Sequence, residues 1–306
     1  MKLGHISDLH IFAYEQAGAR RFLNKRVVGG TNILLNRSKS HSPAVVQAAL
    51  DMLDSFEVDH IAITGDLTNL ALDEEFRAAA NVIGNIRGAD ERVSVVPGNH
   101  DYYVPEIQEN GTFERYFEQY QRSDLPSYQL ENGYPFCKFL GDDIALIGLN
   151  TGIASPPMFA VGKVDPRELR SLEQMLDDPK VRDRYKVVML HHPVLPFEHS
   201  KVEYTRRLIN ASEVLDVLRW KNVDLAIHGH NHYYHKFELP HLGSPGTLHI
   251  CEAGSTSVSS SKNPMSGGKF NIYTIEDGRL LKIETYLFES DGAGFTPWRE
   301  VHIESA

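Results

Sequence analysis

The stretch Val93-Ser94-Val95-Val96-Pro97-Gly98-Asn99-His100-Asp101 decides how the rest of the chain is interpreted. Its first half is an apolar run that is typical of a strand, and its second half is polar. An amide, an imidazole and a carboxylate follow one another at the end of that strand. Together they offer a metal ligand, an acid or cation, and a group that orients it.

Four other stretches repeat this pattern of a hydrophobic run that ends in polar residues. They are Ile6-Ser7-Asp8-Leu9-His10, Ile63-Thr64-Gly65-Asp66-Leu67-Thr68-Asn69, Met189-Leu190-His191-His192-Pro193 and Ile227-His228-Gly229-His230-Asn231-His232. An Asp-x-His tripeptide alone is a weak indication of a metal site, since a solvated aspartate beside a surface histidine is common. Five strand ends that each supply oxygen or imidazole ligands predict a metal centre.

Taken together, the five stretches resemble the calcineurin-like metallophosphoesterase superfamily, and within it the bacterial class III cyclic nucleotide phosphodiesterases. The resemblance extends from about Asp8 to His232. It implies a four-layer αββα sandwich of two mixed β-sheets flanked by helices, with ligands on loops at the carboxyl ends of strands. The strand and helix pattern of the sequence independently favours two packed mixed sheets flanked by helices.

The resemblance also implies which residues hold metal. It assigns one metal ion to Asp8, His10, Asp66 and His232, and a second ion to Asp66, Asn99, His191 and His230. Asp66 would bridge the two ions, because a carboxylate has two oxygens. Nitrogen and oxygen ligands without thiolate favour Mn, Fe or Zn over Ca, but they do not select among those three metals.

The implied reaction is phosphoester hydrolysis by a hydroxide that the two metal ions activate at neutral pH. His100 would protonate the leaving group or stabilise its charge, and Asp101 would orient His100. Asn69 stands where many relatives carry a second aspartate, and we expect it to contribute to substrate binding or to hold its loop. His192 is expected either to contact substrate or to be structural.

Residues 12–42 form a long insertion whose charge differs from that of the whole chain. The formal net charge is −10, yet no Asp or Glu occurs between Gln16 and Leu50. The cations that are candidates for substrate binding are Arg20, Arg21, Lys25 and Arg26. Three roles are open for this basic segment: it is a solvated flap, it attracts an anionic substrate, or it makes peripheral contact with an anionic membrane surface.

Composition limits the remaining possibilities. The negative net charge argues against binding of long nucleic acids, which requires clustered Lys and Arg. The sequence shows neither a transmembrane run nor a signal peptide, and its two cysteines, Cys137 and Cys251, are expected to be buried thiols, so we expect a cytoplasmic protein. We expect one domain over residues 1–306, with a C-terminal β-hairpin at about 270–288 and a flexible loop at 255–268.

The expected function is therefore a phosphodiesterase that acts on a small, cyclic nucleotide-like phosphodiester. Two enzymatic alternatives are a pyrophosphate hydrolase of a nucleotide-linked sugar lipid, which the basic insertion would suit, and a phosphomonoesterase. A catalytically silent metal-binding scaffold is a remote alternative, because such proteins usually lose ligands and this chain has kept them. The sequence does not fix the oligomeric state.

Overall fold

A computed structural model describes residues 1–12, 41–196, 204–290 and 292–303. The four candidate substrate-binding cations Arg20, Arg21, Lys25 and Arg26 lie outside the described residues, as does nearly all of the 12–42 insertion. The predictions for substrate attraction and membrane contact through that insertion therefore stay predictions.

The first sheet combines the two ends of the chain. Its strands are β1 (Lys2–Ile6), β2 (His60–Ile63), β3 (Val93–Val95), β10 (Lys269–Glu276), β11 (Arg279–Glu289) and β12 (Gly294–His302), in the order β12-β11-β10-β1-β2-β3. β1, β2 and β3 pair in parallel, whereas β1 pairs antiparallel with β10. β10 and β11 form the hairpin predicted at about 270–288.

The second sheet is built from the middle of the chain. Its strands are β4 (Phe136–Leu140), β5 (Ile144–Gly148), β6 (Tyr185–Met189), β7 (Leu225–His228), β8 (His235–Pro240) and β9 (Thr247–Glu252), in the order β4-β5-β6-β7-β9-β8. β5, β6, β7 and β9 run parallel, and the antiparallel strands β4 and β8 close the two edges.

Helices cover the outer faces of both sheets. They are α1 (Pro43–Ser55), α2 (Asp73–Gly84), α3 (Ala89–Arg92), α4 (Pro105–Glu109), α5 (Thr112–Phe117), α6 (Pro166–Asp177), α7 (Pro179–Arg182) and α8 (Ala211–Trp220). Short 3₁₀ turns occur at Glu118–Tyr120, Pro126–Tyr128 and Pro264–Ser266. α1 starts with proline in its first turn, where the missing N–H costs nothing because that group has no partner within the helix.

Three apolar clusters separate the layers and confirm the four-layer sandwich. Val46 and Phe76 belong to the cluster between the first sheet and its helices, while Leu172 and Leu218 belong to the corresponding cluster on the second sheet. Between the sheets, side chains from both pack together, among them Leu3 of β1 and Ile227 of β7. The two sheets are therefore held face to face by buried apolar area.

The sequence pattern predicts one helix over 105–121 and another over 203–219, and both predictions are wrong in extent. The helix expected over 105–121 breaks at Gly111, whose φ of 56° is left-handed and which caps α5 instead of continuing α4. The helix expected over 203–219 is replaced by α8, because residues 208–210 pair with the 162–164 segment: Ile209 N–H donates to Gly162 O at 2.8 Å. A tertiary hydrogen bond here overrides the helical pattern of the sequence.

Two strands were not predicted, and both lie at sheet edges. β8 and β12 are largely half-buried or exposed, so the alternation of apolar and polar residues that marks a strand is weak in them. Both cysteines are buried free thiols, as predicted. Among the described residues, no helix is long and apolar enough to cross a membrane.

Candidate metal and catalytic site

The five ligand-bearing stretches meet because their strands end at the same edge. β1, β2 and β3 are parallel neighbours in one sheet, and β6 and β7 are parallel neighbours in the other. Backbone hydrogen bonds join the loops: Asp8 N–H donates to Gly65 O at 3.0 Å, and Gly229 N–H donates to His191 O at 3.2 Å. Between the sheets, His191 Nδ1 lies 2.7 Å from Thr64 O. The loops therefore form one connected structure.

Unusual backbone conformation concentrates at this edge. The φ angles are 54° at Asp8, 45° at His10, 52° at Asp66, 80° at His230 and 56° at His232. Non-glycine residues in the left-handed region cost on the order of 1 kcal/mol or more and persist where the surroundings hold them in place. Such strain at five positions with ligand-type side chains is typical of a functional site.

The first cluster consists of Asp8, His10, Asp66 and His232, whose ligand atoms all lie within 4.8 Å of one another. His232 Nε2 is 3.0 Å from Asp8 Oδ1 and 3.1 Å from His10 Nε2. Three of the four residues are buried, while the side chain of His232 is 26 % exposed. These are the four residues that the resemblance assigns to one metal ion.

The second cluster surrounds the imidazole of His191. Its Nε2 lies 3.4 Å from Asp66 Oδ2, 3.3 Å from Asn99 Oδ1 and 3.1 Å from His230 Nδ1. All four residues are buried. Asp66 therefore belongs to both clusters, which is the position that a bridging carboxylate requires.

The donor set fits divalent metal ions. His191, His230 and His10 each have one ring nitrogen near a backbone carbonyl, at 2.7, 2.8 and 3.4 Å respectively. Because a carbonyl only accepts, that nitrogen carries a proton and the opposite nitrogen faces the cluster, as in metal-binding histidines. Two nitrogens bound at right angles to one ion at about 2.1 Å would lie about 3.0 Å apart, close to the separations seen here.

One orphaned oxygen supports the same conclusion. Asp8 Oδ1 is buried and has no hydrogen-bond donor in suitable geometry among the described residues, although His232 Nε2 is 3.0 Å away. A buried carboxylate oxygen without a donor is costly unless a cation neutralises it. The two Asp8 oxygens therefore have different surroundings. Oδ2, unlike Oδ1, accepts hydrogen bonds from Ser7 Oγ at 2.7 Å and from His230 N–H at 3.0 Å.

Electrostatics favour positive charge at the centre. Burial opposes ionisation of Asp66, but His191 and His100 nearby hold its pKa well below the usual range. Burial also disfavours the imidazolium of His191, yet the adjacent Asp66 raises the pKa of His191 to about 9. At His10 and His230 burial dominates and lowers the pKa well below the ordinary value. The latter two rings are neutral at physiological pH, which is the form that binds metal.

Two glycines allow the loops to approach this closely. Gly65 has a φ of 91°, and a Cβ there would lie 2.6 Å from Gly98 N. A Cβ on Gly98 would lie 2.1 Å from Asp66 Oδ1. Gly65 therefore allows a tight turn beside Asp66, and Gly98 allows the same contact from the opposite side.

His100 lies beside both clusters. Its ring is edge-on to that of His10, with centroids 5.0 Å apart, and its backbone N–H donates to Asp66 Oδ1 at 2.8 Å. His100 Nδ1 is 2.6 Å from Asn69 O, so the carbonyl fixes Nδ1 as a donor. The His100 ring is therefore held beside the first cluster and close to Asp66, which both clusters share.

The printed partners of Asp101 lie in the loops after β2 and β3, and its predicted role in orienting His100 stays a prediction. The Asp101 carboxylate is buried and accepts from the N–H groups of Gly98, Leu67 and Thr68 and from the Thr68 hydroxyl, at 2.9 to 3.2 Å. It joins the loop after β3 to the loop after β2. The Asn69 carbonyl contacts the His100 ring directly, at Nδ1. Burial raises the pKa of Asp101 to about 7.

The structure does not support direct substrate contact by Asn69 or His192. The Asn69 side chain is fully buried, and Nδ2 donates to Ile11 O at 3.2 Å. His192 is also fully buried, with Nδ1 2.8 Å from Thr151 Oγ1 and Nε2 3.2 Å from Ala160 O. Both ring nitrogens of His192 are thus engaged, although it lies in a His191, His192 and His230 group with metal-ligand spacing. Of the two interpretations of His192, the structural one is favoured.

Sequence reasoning missed two residues of the site. Glu252, at the end of β9, accepts from Asn231 N–H at 3.0 Å and from His235 Nδ1 at 3.1 Å, so it supports the loop that carries His230 and His232. Its position at the carboxyl end of a parallel strand was the available indication. His41 lies beside His10, with ring centroids 4.8 Å apart, and no strand end or motif pointed to it.

Comparison with known proteins agrees with this geometry. The model of the calcineurin-like phosphoesterase family matches residues 1–234. The glycerophosphodiester phosphodiesterase GpdQ of Enterobacter lignolyticus (strain SCF1) is 26 % identical over 239 residues, which cover 76 % of this chain and 71 % of the relative.

Solved structures show the same fold at low sequence identity. The purple acid phosphatase PPD1 from yellow lupin (Lupinus luteus) seeds superposes with a TM-score of 0.58 at 11 % identity, over 98 % of this chain. This chain matches only 52 % of the length of the lupin protein. GAP50, the anchor in the inner membrane complex of Plasmodium, superposes with a TM-score of 0.51 at 13 % identity, over 100 % of this chain and 89 % of GAP50.

The family match covers all five strand ends from Asp8 to His232, and the structure brings their side chains to one point. The chain therefore belongs to the calcineurin-like phosphoesterase family and is a metal-dependent phosphoester hydrolase.

Proposed function

We propose that this protein is a phosphodiesterase that hydrolyses a small phosphodiester at a two-metal centre. The observation that carries the proposal is the pair of clusters that share Asp66: one contains Asp8, His10 and His232, and the other contains His191, Asn99 and His230. Two ligand sets joined by one carboxylate suit two ions that act on the same phosphate.

The residues that would hold the first ion are Asp8, His10, Asp66 and His232, and those for the second are Asp66, Asn99, His191 and His230. Mn, Fe and Zn remain the candidate metals, because the ligands are imidazole, carboxylate and amide. When bound, such ions neutralise phosphate charge and lower the pKa of a bound water.

His100 is the residue of this chain that would act on the leaving group. Its Nδ1 donates to Asn69 O, so Nε2 of the imidazolium would give its proton to the departing oxygen. Asp66 accepts from the backbone N–H of His100 at 2.8 Å and so fixes the distance between the ring and both clusters. Tyr103 stacks on the His100 ring, with centroids 5.6 Å apart, and limits its rotation.

A diester is favoured over the other substrate classes by sequence similarity to a relative and not by the geometry of the site. GpdQ is described as a glycerophosphodiester phosphodiesterase and is similar to this chain over most of its length. At 26 % identity it supports diester chemistry but does not select an alcohol. A cyclic nucleotide-like diester and a glycerophosphodiester are therefore the first natural classes to assay.

The test is turnover of bis(p-nitrophenyl) phosphate against p-nitrophenyl phosphate by protein reconstituted with Mn, Fe or Zn. We expect faster cleavage of the diester, with His100→Ala greatly reducing the rate while metal content stays at the wild-type value. His302→Ala is a suitable control, because His302 is an exposed histidine on β12.

Other outcomes would redirect the proposal. A preference for the monoester would indicate a phosphomonoesterase, and cleavage restricted to nucleotide pyrophosphates would indicate a pyrophosphate hydrolase. Metal binding without turnover of any of these substrates would contradict the proposal and favour a scaffold. The cytoplasmic location and the single-domain organisation stay predictions.

A further inference from the structure

We propose that His41 is an additional metal ligand, which joins His10 and His232 at the first metal ion. This inference rests on the proposed two-metal site and adds a residue that the five strand-end motifs do not contain. One ring nitrogen each of His10, His41 and His232 lies within 4.8 Å of the other two. The three residues therefore form a group with metal-ligand spacing, and two of its members also belong to the first cluster.

The His41 ring is steeply inclined to the rings of His10 and His232. The His41 ring is 4.8 Å from that of His10 with an interplanar angle of 68°, and 5.6 Å from that of His232 with an angle of 79°. At these angles the His41 ring does not stack face to face on either neighbour. His41 is only 7 % exposed, so it is part of the interior of the site.

The orientation of His41 is fixed by the loop that also holds Asp8. His41 Nδ1 lies 2.7 Å from Ser257 Oγ, and Ser257 Oγ donates to Asp8 O at 2.8 Å. Because the Ser257 hydroxyl donates its hydrogen bond to the Asp8 carbonyl, its oxygen accepts from His41 Nδ1–H. We therefore assign Nε2 of His41 to the metal. An outer hydrogen bond that fixes the tautomer is the usual arrangement for a metal-binding histidine.

The backbone places His41 at the site independently of its side chain. His41 forms an isolated antiparallel bridge with Val258, and Ser42 N–H donates to Ser257 O at 2.8 Å. Ser255 Oγ donates to the same Asp8 carbonyl at 2.8 Å. The start of the 255–268 segment, which the sequence predicts to be flexible, is thus buried and connects His41 to Asp8.

The test is metal binding by the apo protein, measured without substrate. Isothermal titration with Mn²⁺ and metal analysis would give the affinity and number of sites for wild type, His41→Ala and Ser257→Ala. We expect His41→Ala to weaken one of two binding steps by at least about 10-fold and leave the other unchanged, since even loss of a residue behind a ligand costs about 10- to 100-fold. Ser257→Ala should have a smaller effect on the same step.

Cobalt substitution adds a signature that a purely structural role would not produce. The visible spectrum of the Co²⁺ protein should change in His41→Gly, and added imidazole should restore it by occupying the space of the missing ring. His302→Gly is the control, since its ring is exposed and belongs to none of the groups with metal-ligand spacing among the described residues. The variants must retain the wild-type circular dichroism for the comparison to hold.

The outcomes separate this inference from the function it depends on. Wild-type affinity and an unchanged Co²⁺ spectrum in His41→Gly and His41→Ala would overturn the assignment of His41 and leave the proposed function intact. An increase in KM alone, with normal metal binding, would also overturn it and assign His41 to substrate. Failure of the wild-type protein to bind metal at all would contradict both proposals.

Discussion

Buried carboxylates occur in two regions of this molecule with different surroundings. In the ligand region, defined here as the two clusters around Asp66, Asp8 and Asp66 lie among histidines, and Asp8 Oδ1 has no donor in suitable geometry among the described residues. In the support region, defined as Glu75, Asp101 and Glu252, carboxylate oxygens accept backbone N–H groups from the neighbouring loops.

The partners of a buried carboxylate distinguish one that can bind a metal ion from one that positions a loop. A carboxylate that accepts several backbone N–H groups fixes the shape of a loop. Glu75 does this for residues 69–72, where its Oε2 accepts from the N–H groups of Asn69, Leu70 and Leu72. Asp8 and Asp66 instead lie against imidazole rings, which are the neighbours that a shared metal ion would have. Burial and charge alone therefore do not identify the ligands; the partners do.

The largest effect is expected from Asp66→Asn, which removes the charge shared by both clusters. We expect loss of metal from the site and loss of measurable turnover, because each ion loses an anionic ligand. Metal analysis and turnover of bis(p-nitrophenyl) phosphate would measure both. Asp51→Asn, on the solvent side of α1, is the matched control. An Asp66→Asn protein with normal metal content and activity would refute the role of the ligand region.

His100→Ala should separate catalysis from binding. We expect the rate to fall by about 10²- to 10⁴-fold while metal content is retained, since His100 would transfer a proton but hold no ion. The pH dependence of kcat should lose the limb that reports the acid. A variant that loses metal together with rate would instead place His100 among the ligands.

In the support region, Glu252→Ala should weaken metal binding without removing a ligand. The loop of His230 and His232 loses the carboxylate that accepts from Asn231 and Tyr233 N–H, at 3.0 and 3.3 Å. A loss of about 10- to 100-fold in affinity is expected, as for other residues behind metal ligands. Glu238→Ala, on the exposed face of β8, is the control. Equal losses in Glu252→Ala and Asp66→Asn would remove the distinction between the two regions.

The smallest effect is expected at Glu168, a buried carboxylate on α6 that accepts from Asn150 N–H at 2.7 Å. Burial raises its pKa from 4.5 to about 8. A raised folded-state pKa gives stability that is present below pH 4.5 and is lost as the pH rises through about 8.

Glu168→Gln should therefore gain stability relative to wild type between pH 5 and pH 9, by up to a few kcal/mol at about 1.4 kcal/mol per pKa unit. Urea unfolding at several pH values would measure the change. Glu173→Gln on the same helix controls for removal of a charge. A constant difference between Glu168→Gln and wild type across that range would contradict the assignment.

The sequence predicts the ligand region better than the support region for a physical reason. Ligands such as His191 and Asp66 follow apolar strand runs at short, fixed distances, so their positions can be inferred from local patterns. Partners such as Thr64 O for His191 and Asn69 O for His100 depend on how loops from different strands meet. This is why the loop contacts of Asp101 could not be inferred from its place next to His100 in the sequence.

The sequence by itself determined the two-sheet sandwich, the strand ends that carry the ligands and the class of chemistry, because periodicity and motif spacing are local properties of the chain. Only the tertiary structure brought His41 and Glu252 next to the two clusters, buried Asn69 and His192, and placed the Asn69 carbonyl against His100 Nδ1. These contacts join residues far apart in sequence, and packing of the two sheets against each other is what brings them within hydrogen-bond distance.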